Sequence, residues 1–123
     1  MTRKRPKNVI CAEVIQLVDR AGRVRARLEV NDLTGSSIFQ ILDERATARL
    51  TAEYASGRIA IALVDSGGDS RVGMSVDDSG SGIGFSDNHG TTALTVSIDA
   101  SGDVLVQLYN KSGKRVQLWK VTR

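Results

Sequence analysis

Proline, cysteine, histidine and aromatic side chains are all scarce in this chain of 123 residues. It has one proline (Pro6), one cysteine (Cys11), one histidine (His89) and five aromatics: Phe39, Tyr54, Phe85, Tyr109 and Trp119. A lone cysteine forbids an intrachain disulfide, and Cys11 reads as a small buried hydrophobe rather than a nucleophile. A metal centre needs three or four convergent ligands, and His89, set among Asp87, Asn88 and Gly90, reads as an exposed turn residue instead. With proline confined to position 6, every later strand can donate all its backbone N–H groups. No run approaches the ~18 apolar residues of a membrane helix, so no membrane span is expected and a cytoplasmic location is the default. Val9, Ile10, Cys11 and Ala12 follow basic residues, but Glu13 and Gln16 interrupt the stretch and no processing site is evident.

Glycine, by contrast, is plentiful, with 12 residues, which suits many tight turns at positive φ. The apolar fraction of 41% and charged fraction of 25% are those of an ordinary globular chain of one domain. The formal charge of +3 is concentrated near the start, where Arg3, Lys4, Arg5 and Lys7 surround Pro6. We therefore divide the chain into a basic flexible tail, 1–8, and a single domain, 9–123.

A set of similar turns organises that domain. Asp19, Asp65, Asp87 and Asn110 each stand three residues before a glycine, namely Gly22, Gly68, Gly90 and Gly113. A further copy at Ile41-Leu42-Asp43 lacks the glycine and reads as two residues short before Arg45. The five Asp/Asn positions are spaced 24, 22, 22 and 23 residues apart. A second series, Gly35, Gly57, Gly80 and Gly102, is interleaved at the same period. Two turns per period leave room for two short strands, so each repeat of about 22 residues reads as a β-hairpin. The alternation agrees: Val24, Ala26, Leu28 and Val30 fall on one face, and Arg23, Arg25, Arg27 and Glu29 on the other. Helix propensity competes most strongly across residues 41–54, where the repeat argues for strand.

The expected fold is all-β, with five tandem antiparallel hairpins and about ten strands. Such repeats must stack or close to bury their apolar faces. Two closures are open: an oligomeric β-prism or β-helix-like assembly, favoured because small aliphatic residues suit a narrow repetitive seam, and a closed up-and-down barrel. The unit Leu-x-Asp-x-x-Gly-x-x-Arg-x-x-Leu resembles short bacterial β-hairpin-repeat proteins of unassigned function. Leu17, Asp19, Gly22, Arg25 and Leu28 match it fully, and Leu63, Asp65, Gly68, Arg71 and Met74 match except for Met74. Ala93 and Val116 stand at the arginine position of later copies. The resemblance implies a fold, not an activity.

No nucleophile elbow, phosphate loop, dinucleotide fingerprint or catalytic constellation is present, and no cofactor is expected. The acidic turn at Asp77 and Asp78, with Asp65 and Asp69 as candidate neighbours, has oxygen ligands suited to Ca²⁺ but the wrong spacing for known loops. Arg23, Arg25 and Arg27, extended by Arg45, Arg49 and Arg71, form with the tail a candidate polyanion contact. The leading expectation is a non-enzymatic structural module that self-associates through its apolar faces, three chains being the favoured number. A small-ligand-binding barrel and a nucleic-acid or anionic-surface binder are the alternatives.

Overall fold

The computed structural model describes residues 9–123. The basic tail expected at 1–8, with Arg3, Lys4, Arg5 and Lys7, lies outside the described residues. Ten strands follow one another without a helix: β1 (Val14–Val18), β2 (Val24–Asn31), β3 (Ser36–Leu42), β4 (Ala48–Ala55), β5 (Arg58–Val64), β6 (Ser70–Asp77), β7 (Gly80–Ser86), β8 (Thr92–Asp99), β9 (Val104–Tyr109) and β10 (Arg115–Val121). The segment where helix propensity competed is strand, turn and strand, because β4 must match the registers of both β3 and β5.

One turn chemistry sets the first end of the sheet. At Asp65 the carboxylate Oδ1 accepts the N–H groups of Gly67 and Asp69, at 2.9 and 3.1 Å. The Gly68 N–H donates to the Asp65 carbonyl, and the Asp65 N–H to the Asp69 carbonyl. Gly68 has φ of 90°, and the register shifts between Leu63 and Val64. This is a turn closed by a left-handed residue and a bulge, which increases the local twist. Asp19, Asp43, Asp87 and Asn110 repeat the pattern of backbone bonds. The Asp43 copy is complete, which corrects the expectation that it is two residues short. Ala46 takes the glycine position at φ of 64°.

Turns at the second end are more varied. Ser56 and Gly57 both have positive φ, 51° and 78°, the two-residue form whose twist matches the flanking strands. The Asp99 turn borrows the chemistry of the first end, with Oδ1 accepting from Ser101 and Asp103.

The strands pair strictly in sequence order, β1 to β10, in a single sheet. Where one repeat joins the next, a fixed rule holds. The residue seven after each turn Asp faces the residue two before the next Asp or Asn: Ala26 with Ile41, Leu50 with Leu63, Val72 with Phe85, and Leu94 with Leu108.

The sheet is not closed, and this overturns both expected architectures. Among the described residues β1 pairs only with β2 and β10 only with β9, so the sheet forms neither an up-and-down barrel nor a prism. No barrel interior exists among the described residues to hold a ligand. Closure requires the tilt and stagger of the strands to accumulate around an axis. Here each repeat junction restores the register of the one before it, and the ladder runs on as a ribbon. The expected core is missing as well, since no described residue is buried. Cys11, expected to be a small buried hydrophobe, is exposed ahead of β1.

Candidate functional site: an exposed apolar face and a file of arginines

Because every junction keeps register, the apolar side chains line up across the strands. The central row runs Ile15, Leu28, Phe39, Ala52, Ile61, Met74, Ile83, Val96, Val106 and Trp119, each cross-strand partner of the next. A flanking row carries Ile41, Leu50, Leu63, Val72, Phe85 and Leu94. Met74, in the middle of the sheet, is 43% exposed and Trp119 is 50% exposed. An apolar surface of this extent is far larger than a stable monomer ordinarily shows to water.

The opposite face is small and polar. Thr51, Ala62, Gly73, Gly84 and Thr95 form its central row, beside Glu53, Ala60, Ser75, Gly82 and Ser97. A twisted sheet is saddle-shaped, concave along one diagonal on each side. Open depressions result, among them one of about 690 Å³ on the small-residue face and one of about 480 Å³ on the apolar face.

Three arginines fasten successive repeats on the polar side. The Nε–H groups of Arg25, Arg49 and Arg71 donate to the carbonyls of Leu42, Val64 and Ser86, at 3.0, 2.6 and 2.9 Å. Their other nitrogens lie 3.6, 3.7 and 3.4 Å from the carboxylates of Asp19, Asp43 and Asp65. Each guanidinium thus ties its own turn to the last carbonyl of the following strand. Arg49 stands six residues after Asp43, as Arg25 and Arg71 do after Asp19 and Asp65. Replacing Arg71 with Ala removes a charge-assisted hydrogen bond and is expected to cost about 1–2 kcal/mol. Arg71→Lys should restore little of this, because an ammonium cannot present the planar fork. Urea unfolding at fixed protein concentration reads both variants, and full recovery by lysine would contradict the latch.

Arg23 and Arg27 of the stripe are also engaged, whereas Arg45 makes no ion pair among the described residues. Arg23 pairs with Asp19 at 2.9 Å, Arg27 with Glu29 at 2.5 Å, and Arg25 reaches Glu44 at 3.2 Å. His89 is exposed in its turn, where its backbone N–H donates to Asp87 Oδ1. Asp77 is occupied by the N–H and hydroxyl of Ser79, at 2.8 and 2.5 Å. Asp65 and Asp69 do not join it, because they sit at the other end of β6. Among the described residues no three His, Cys, Asp or Glu side chains converge as metal ligands. Among the described residues no helix is long and apolar enough to cross a membrane.

The turn carboxylates have a pH signature. Backbone N–H groups, those of Thr47 for Asp43, Asp69 for Asp65 and His89 for Asp87, hold these three carboxyls below their ordinary value of 3.8. A lowered native pKa stabilises the turn while the group is ionised, above 3.8, and that contribution is lost as pH falls through the lower native value. Between ~pH 5 and ~pH 2, protection from amide exchange, taken against the free-peptide rate at each pH, should therefore fall at Thr47, Asp69 and Thr91. Lys114 should not follow, because Asn110 accepts its N–H with an amide that does not titrate. Loss of protection at all four together would contradict a turn-by-turn origin.

No protein-family model matches the chain, and comparison with curated proteins finds no significant match.

Proposed function

We propose that this chain is a non-enzymatic structural module that works by self-association, with the apolar face of the sheet as its adhesive surface. The observation that carries this reading is a ten-stranded sheet without one buried side chain among the described residues. Burying apolar area is the dominant favourable term in folding, and a lone open sheet forgoes it. Ten strands at the usual spacing and six or seven residues of strand length give a face of roughly 900 Å². Two copies meeting there would bury about twice that, within the range of stable protein interfaces. A second copy is the occupant favoured by the surface itself, because rows repeated with a 22-residue period present like-sized aliphatic side chains to their own image. The likeness to short bacterial hairpin-repeat proteins belongs with this reading.

Polyanion binding has less support, since Arg23, Arg25 and Arg27 are all paired with carboxylates. Light scattering after size exclusion, at low micromolar protein and at low and high salt, separates the two. A fixed multiple of the 13.2 kDa chain at both salts, the expected three chains included, supports apolar self-association. A monomer at both overturns it.

A further inference from the structure

We propose that the sheet continues from one copy of the chain into the next, β10 of one pairing antiparallel with β1 of another. This edge contact is separate from the face contact and does not depend on it. Among the described residues both outer strands have an unpaired side. Edge strands are normally guarded by charge, proline or irregularity, yet β1 reads Val-Ile-Gln-Leu-Val without charge or proline, and its one irregularity is the turn bulge between Leu17 and Val18, which recurs between Leu63 and Val64 inside the sheet.

Geometry favours the joint. The strands alternate in direction and are even in number, so β10 and β1 run antiparallel. Joining them repeats a connection that the chain already makes four times between its own repeats. The junction rule, applied to Asn110 and to Asp19 of a second copy, sets the register. Gln117 falls opposite Leu17, Trp119 opposite Ile15 and Val121 opposite Glu13, with Leu118 opposite Gln16 on the other face. The central apolar row runs through the joint unbroken, with Gln117 and Glu13 in the flanking rows, and the half-exposed Trp119 gains Ile15 as its cross-strand neighbour. Charge agrees, since Glu13 comes diagonal to Arg123, an exposed residue.

The contact is open-ended. Adjacent strands rotate by about 20°, so ten strands turn the two edges of one chain well away from each other. A head-to-tail contact between such edges elongates rather than closes. β1 offers only five residues, so elongation should need a higher concentration than face association.

Cysteine pairs test the register. In a Cys11→Ser background, one variant carries Ile15→Cys with Trp119→Cys, and a second carries Gln16→Cys with Leu118→Cys. Adjacent cross-strand pairs alternate between wide and close spacing, so one of the two suits a disulfide. A mismatched control, Gln16→Cys with Trp119→Cys, directs its sulfurs to opposite faces. After oxidation at high concentration, a covalent ladder of dimers, trimers and longer species is expected from at least one matched pair and not from the mismatched one. No cross-linking in either matched pair, or equal ladders from the mismatched pair, overturns the proposal. Covalent dimers alone overturn open elongation. The mass of the unoxidised background protein at low micromolar concentration reads the face contact independently.

Discussion

Lysine at both Ile61 and Met74 should convert the assembled protein into monomers. These residues are cross-strand partners in the central apolar row, and neither touches a turn or an arginine latch. In the lone sheet both lie at a surface open to water, so the ammonium groups can be hydrated and the strand pairing is undisturbed. In an assembly the same positions are covered, and two unpaired charges there must be desolvated. We expect association to weaken at least ~100-fold, the equivalent of about 3 kcal/mol. Mass from light scattering should drop to one chain, while far-ultraviolet circular dichroism retains its β signature. If the doubly substituted protein keeps the parent mass, the apolar face is not the adhesive surface.

Gly80→Ala is the substitution expected to damage the fold itself most. Gly80 opens β7 with φ of 149°, and a Cβ there would lie 2.1 Å from the Ile98 carbonyl oxygen. Backbone on a neighbouring strand cannot step aside as a flexible side chain can. The cost combines a backbone conformation that L residues rarely adopt with a collision, about 3 kcal/mol or more. Gly22→Ala provides the comparison. Its φ of 78° is also unfavourable, but nothing lies within 4 Å of the added carbon, so about 1–2 kcal/mol is expected. Urea unfolding of both at the same protein concentration gives the ranking. Equal losses would mean that the sheet relaxes around Ile98.

Turn chemistry made the strands legible before any coordinates. Asp19, Asp65, Asp87 and Asn110, each three residues before a glycine, mark loops that specify their hairpins locally, and all four turns form as their residues dictate. The Asp43 copy was misread because glycine served as its marker. The arginine six residues on, Arg49, would have identified it, and Ala46 shows that an L residue can hold the left-handed position when its neighbours are fixed. The arginines were legible only in part for a related reason. Reading along one strand groups Arg23, Arg25 and Arg27, whereas the structural file runs across strands through Arg25, Arg49 and Arg71. Closure was not legible at all. Short-range turns fix hairpins, but whether ten strands curl depends on small differences in twist and stagger that no single residue reports. The barrel expectation assumed that each chain covers its own face, and this one does not.

Oxidation of Met74 tests the central claim most directly, that copies of the chain cover the apolar face. Met74 sits in the middle of that face, and its thioether is open to reagent in a lone sheet. Dilute peroxide should convert it to the sulfoxide at close to the rate of the urea-unfolded chain when the protein is dilute enough to be monomeric. As concentration rises and copies associate, the rate should fall at least ~10-fold, in step with the increase in mass. A Met74 that oxidises at the unfolded rate at every concentration would contradict the account, because the face would then remain open to water however many chains are present.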